Sequence, residues 1–222
     1  MWIKNLFTVA LLLALPLQLA AIDHQIWDQL VSKHVRANGD VNYKGFLQDR
    51  DQLEKYLENL SQNPPQSGDS RKEKLAYWIN AYNAFTIKLI VDNYPLESIQ
   101  DLHPTIKIPG VSTVWHKEFF SIGGEEMSLH HIEHKILRKE FDEPRIHFAI
   151  NCASISCPKL REEAYTAAKL EQQLEDQARL FINNPQKNSI KRDEIEISKI
   201  FQWFTGDFTN NMGIIEYLNQ YS

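Results

Sequence analysis

Residues 71–94 read RKEKLAYWINAYNAFTIKLIVDNY, and the reading of this stretch decides the fold. Leu75, Trp78, Ile79, Tyr82, Phe85, Thr86, Leu89 and Ile90 recur at the three- and four-residue spacing of an α-helix. They occupy more than one face of it, so the helix is expected at the centre of the molecule and largely buried. Asn80 and Asn83 lie inside the apolar run. Buried amides must find partners, so these two either brace neighbouring backbone or serve a site.

Towards the N-terminus, residues 22–37 carry Ile26, Trp27, Leu30, Val31 and Val35 on one helical side, and Asn38-Gly39-Asp40 ends that helix as a turn. A second helix is predicted over 44–61, followed by a loop at Asn63-Pro64-Pro65-Gln66-Ser67-Gly68. Beyond the central helix, residues 101–125 are punctuated by Pro104, Pro109, Gly110, Gly123 and Gly124. Short strands are expected at Val111–Trp115 and Glu118–Ile122, with Gly123-Gly124 as a hairpin turn. Ser128 is placed to cap a helix running to about Lys139, and Arg145–Asn151 reads as a strand entering the core. Thr166 opens a further helix, two short strands flank Lys191-Arg192-Asp193, and two helical pieces close the chain. The expected fold class is α+β: a helix-dominated single domain with a small antiparallel sheet.

Residues 1–21 read as a cleavable signal peptide: Lys4 in a basic start, an apolar run from Leu6 to Leu15, then Pro16, Ala20 and Ala21. The run is shorter than the roughly 20 residues that span a bilayer, so membrane contact is expected only during export, to the periplasm or the medium. Cleavage takes the basic count from 24 to 23 against 29 acids, and the formal charge from −5 to −6. That balance, without a basic block, disfavours nucleic acid as a partner. The 222 residues contain two cysteines, Cys152 and Cys157. In an oxidising compartment they are read first as a possible bridge.

The segment Asn151-Cys152-Ala153-Ser154-Ile155-Ser156-Cys157-Pro158 is the most informative for chemistry. Pro158 suits the first position of a helix, and a thiol beside a helix N-terminus has a lowered pKa. On that local argument Cys157 has as good a claim as Cys152. A nucleophilic thiol needs a base, and His130-His131-Ile132-Glu133-His134 supplies candidates, with His130 and His134 sharing a helical face. His147 is another. The same five residues match H-x-x-E-H, a zinc-hydrolase pattern, but three fixed positions make a weak signal, and a third protein ligand is missing.

Three segments carry a resemblance to a known family: Tyr77-Trp78-Ile79-Asn80-Ala81-Tyr82-Asn83-Ala84, Ser128-Leu129 through Glu133-His134 to Leu137-Arg138, and His147-Phe148-Ala149-Ile150-Asn151-Cys152 through Cys157-Pro158. The chain resembles the bacterial and plant domain-of-unknown-function family 547, over about residues 70–185. The resemblance implies a papain- or transglutaminase-like cysteine hydrolase and favours Cys152 as nucleophile, since plant members often place serine at the position of Cys157. The family's helix motif includes Glu133 and His134 but places acids where His130 and His131 stand, which undercuts zinc.

The expectation is therefore an exported thiol-dependent hydrolase or acyltransferase acting on a peptide-like or acyl substrate (an amide, ester or thioester). Cys152 is the nucleophile, His134 the base and Glu133 its support, with Asn80, Asn151 and His147 as a polar surround and no cofactor or metal. The alternatives are a non-catalytic envelope binding module with a Cys152–Cys157 disulfide, and a zinc hydrolase using His130, Glu133 and His134.

Overall fold

The computed structural model describes residues 22–104, 113–154, 157–191 and 193–222. The expected signal peptide lies outside them. Helix α1 spans Gln25–His34, α2 Tyr43–Gln48, α3 Arg50–Gln62 and α4 Arg71–Val91. The central helix starts where a capping box allows it to: the Ser70 hydroxyl accepts from the Glu73 N–H, and the Glu73 carboxylate accepts from the Ser70 N–H. From Leu75 to Ile87 every residue of α4 is buried, as expected of a helix apolar on several faces. The predicted helix at 44–61 is instead two helices meeting at Asp49. The Asp49 carboxylate accepts from both Lys33 Nζ and His34 Nε2 at 2.6 Å, which fixes the joint against α1.

The sheet content is small. Strands β1 (Phe120–Ile122) and β2 (Glu125–Met127) pair antiparallel across Gly123-Gly124, whose φ angles of 62° and 84° suit a tight hairpin. Strands β3 (Ser189–Ile190) and β4 (Ile195–Glu196) form a second ribbon. The molecule is thus helix-dominated α+β, with two separate two-stranded ribbons among the described residues. A papain-like architecture finds no support in it.

Four local expectations are corrected. Residues 111–115 were expected to be a strand; Val111 lies outside the described residues, and Val114–His116 form a 3₁₀ turn. Arg145–Asn151 contains a helical turn, Ile146–Ala149, in place of a strand. All four of its residues are buried, so no alternation marked the period, and a short apolar run does not separate strand from helix. Pro158 opens no helix: the next one is Leu170–Ile182, so the dipole argument for Cys157 falls away. The C-terminus holds three short helices, Ile200–Trp203, Thr205–Phe208 and Ile214–Asn219, where two were expected. They pack Phe201, Phe208 and Tyr217 against Phe148 and Phe181 as a second apolar cluster. None of the described helices is long and apolar enough to cross a membrane.

Candidate functional site

The two buried amides of α4 have structural work. Asn80 Nδ2 donates to the Tyr165 carbonyl at 2.8 Å, and its Oδ1 accepts from the Tyr165 N–H at 2.9 Å. Asn83 does the same one helical turn further on, donating to the Ala149 carbonyl at 3.0 Å and accepting from the Asn151 N–H at 2.8 Å. Each side chain thus satisfies both hydrogen-bonding groups of a loop crossing the helix. Asn151 in turn brackets the cysteine loop: its Nδ2 donates to the Pro158 carbonyl at 2.6 Å and its Oδ1 accepts from the Ala153 N–H at 2.9 Å. Asn80 and Asn151 are therefore braces, not the polar surround expected of them.

That bracketed loop forms one wall of a cleft of about 410 Å³. Cys152 and Cys157 are joined in a disulfide, with their Cα atoms 6.1 Å apart, so there is no free thiol in this state. Ala153, at φ 57°, turns the chain between them. Opposite stand residues of the segment 129–140, in which a π-helical stretch, Ile132–Leu137, interrupts an otherwise α-helical course. Such wide turns are frequent at functional sites, where they re-aim side chains. Here the stretch contains both Glu133 and His134.

Glu133 keeps only 15% of its side chain exposed and hydrogen-bonds with the Tyr82 hydroxyl. Burial pushes its carboxyl up to about 7, against the Arg138 charge and the Tyr82 hydrogen bond, which pull it down. Its Oε1 lies 4.0 Å from His147 Nδ1, beyond a hydrogen bond. His147 is 1% exposed. Its Nε2 lies 2.7 Å from an Asp207 carboxylate oxygen, and an ionised carboxylate only accepts, so Nε2 carries the proton. Nδ1 is then a lone pair, buried and without a partner. Burial lowers the pKa of this imidazole, although Asp207 pulls the other way. Arg138 fixes Asp207 with Nε and Nη2 at 2.5 and 2.9 Å. Burial opposes the charge on Asp207, but the bonds from Arg138 and His147 prevail and hold it well below the usual carboxylate range. Phe204 stacks on the His147 ring, with centroids 3.8 Å apart, and sets its plane.

His134 is differently placed. Its Nδ1 lies 2.8 Å from Arg138 Nη1, a group that only donates, so its lone pair is already taken. Burial, with the charges of His130 and Arg138, lowers its pKa to about 4. The expected base is therefore a neutral imidazole with no free acceptor. Its ring stacks on His130 at 4.3 Å, and His130 stacks on His116 at 4.0 Å, so three imidazoles line one side of the cleft. This arrangement does not suit zinc. The His130 and His134 rings lie face to face without converging on a point, and Glu133 is held by Tyr82 with its two oxygens 4.0 Å from His134 Nε2 and His147 Nδ1. Among the described residues no group of three His, Cys, Asp or Glu side chains is disposed to hold a metal ion.

Residues 66–182 match a family model described as "Protein of unknown function, DUF547". The chain belongs to the DUF547 family. No curated protein and no solved structure matches it. Within the DUF547 segment fall Tyr82, Trp115, Glu133, His134, His147 and both cysteines, whereas Phe204 and Asp207 come from the C-terminal helices beyond it. The structure brings the expected Cys152, Glu133 and His134 into one cleft, together with His147. Sequence reasoning missed Tyr82, Trp115, Arg138 and Asp207 as site residues. Tyr82 read as one more apolar position of the helix, and no sequence signal ties Asp207 to a histidine 60 positions away.

Proposed function

We propose that this is an exported thiol-dependent hydrolase or acyltransferase whose base is His147, oriented by Asp207, and whose nucleophile is Cys152 once its bridge to Cys157 is opened. The observation that carries the reading is the buried, unpartnered Nδ1 of His147 in the cleft that Cys152 lines. A carboxylate that holds one imidazole nitrogen and leaves the other as a base is half of the logic of a catalytic triad, and a nucleophile in reach of that base is the other half. The bridge is chemistry of an oxidising compartment, which supports export. A thiol donor reduces the disulfide to two thiols and is itself oxidised. The Cys152 proton then passes to His147 Nδ1, sulfur attacks the acyl carbon, and the leaving group departs with that proton. Water or an amine releases the acyl group from the thioester. Glu133, titrating near 7, is suited to exchange a proton with the leaving group or the incoming water.

A second reading rests on the closed bridge itself: a non-catalytic binding module of the envelope in which the disulfide is a permanent wall. Alkylation of the mildly reduced protein separates the two. On the catalytic reading Cys152 reacts with iodoacetamide below pH 7, and His147→Ala moves that reactivity to the ordinary thiol range near about 8.5. His134→Ala leaves the profile in place. A bridge that mild reductant does not open, or a Cys152 profile indifferent to His147, supports the binding module.

A further inference from the structure

Trp115 lines the same cleft, and its indole Nε1 is buried without a hydrogen-bond partner. An indole N–H can only donate, so the group it lacks is an acceptor. A buried donor left unpaired is rare in folded proteins and calls for an explanation. The cleft thus holds two unsatisfied atoms of opposite kind, a donor on Trp115 and an acceptor on His147. Its walls are otherwise rich in apolar surface: Ile150, Ile200, Trp203 and Phe204. Trp203 leaves 61% of its surface exposed, an unusual position for so large an apolar ring. No lysine or arginine appears among the described residues that line the cleft, so a carboxylate would find no cationic partner there. A cation would find no carboxylate except Glu133, which is mostly covered and shared with Tyr82.

We propose that the cleft selects an uncharged acyl compound with a flat apolar body, its carbonyl oxygen accepting from Trp115 Nε1–H and its body lying against Trp203. This rests on the acyl-transfer reading above and names its substrate class. Trp115 acts as a specificity residue, and a donor bound to the carbonyl also stabilises that oxygen as it develops negative charge during attack. The partition is physical: His147 Nδ1 serves the thiol proton, Trp115 serves the carbonyl, and the aromatic wall takes the rest of the acyl group.

Binding to the full chain with its bridge closed tests this without turnover. Benzamide, benzoate and benzylamine share a ring and differ in charge and in the carbonyl. Calorimetric titration at pH 7.5 is expected to rank benzamide at least about tenfold tighter than either charged probe. Trp115→Phe should weaken benzamide about fivefold, the loss of one hydrogen bond, and leave benzylamine unchanged. Benzoate binding as tightly as benzamide, no binding of any of the three, or indifference to Trp115→Phe would overturn the proposal. Should Trp115→Phe fail to fold, as judged by circular dichroism, the ranking on the unaltered chain decides alone. Since no free thiol is needed, failure here leaves the Cys152 labelling result standing, and failure of labelling leaves this one standing.

Discussion

Asn80 and Asn83 on the central helix and His147 in the cleft are buried polar side chains, and Glu133 beside His147 keeps only 15% of its side chain exposed. On the helix each amide has both a donor and an acceptor contact to backbone. In the cleft one imidazole nitrogen has no partner, and a carboxyl is held uncharged to neutral pH by burial. The difference separates architecture from chemistry. A buried polar group that is fully paired stabilises the fold; one that is not leaves room for a ligand or a proton.

Substitutions should divide along the same line. The largest effect expected is on the helix. Asn83→Ala strands the Ala149 carbonyl and the Asn151 N–H, and should cost about 4 kcal/mol in urea unfolding, at about 1–3 kcal/mol for each unpaired group. A loss below about 1 kcal/mol would show that water or a local shift satisfies them and would blur the comparison.

Glu133→Gln should do the opposite, and only at the upper end of the pH range. The folded chain keeps a proton on Glu133 between about 4.5 and 7, where the unfolded chain has released it. Folding is therefore favoured at the low end of that window and weakened as pH rises through it. His134, held down to about 4, works the other way up to its ordinary 6.5, so the raw stability curve mixes the two. The difference between variant and parent removes the His134 contribution. That difference should grow in favour of Glu133→Gln from pH 4.5 to 7.5, by up to about 3 kcal/mol at 1.36 kcal/mol per pKa unit. A difference flat with pH would mean that Glu133 is ionised throughout.

The smallest effect is expected at the start of the central helix. Ser70→Ala removes an exposed cap and should lower stability by about 1 kcal/mol, with the Glu133-dependent pH response unchanged. A changed response would mean that the helix and the cleft are energetically coupled.

The helix carrying Asn80 and Asn83 was legible because sixteen buried positions in 21 residues leave no other reading, and Ser70 and Glu73 mark its start. The Gly123-Gly124 hairpin was legible for its backbone, since adjacent glycines supply both positive φ angles. The turn at Ile146–Ala149 was not, because four consecutive buried residues have no measurable period. In the site, the sequence placed Cys152, Glu133, His134 and His147 among the candidates but did not rank the two histidines by their surroundings. Their roles depend on which ring nitrogen faces Arg138 and which faces Asp207. The first contact is an i,i+4 pair whose spacing does not say which nitrogen is engaged, and the second arises only when the C-terminal helices fold back onto the cleft.

The central claim is the division of labour between two imidazoles, and nitrogen NMR of their rings reads it directly. Above pH 7, His147 should show a protonated Nε2 and a bare Nδ1, and Asp207→Asn should disturb that pattern. His134 should show its Nδ1 engaged by the Arg138 guanidinium. A His147 ring carrying its proton on Nδ1, with Nε2 bare beside Asp207, would contradict the account.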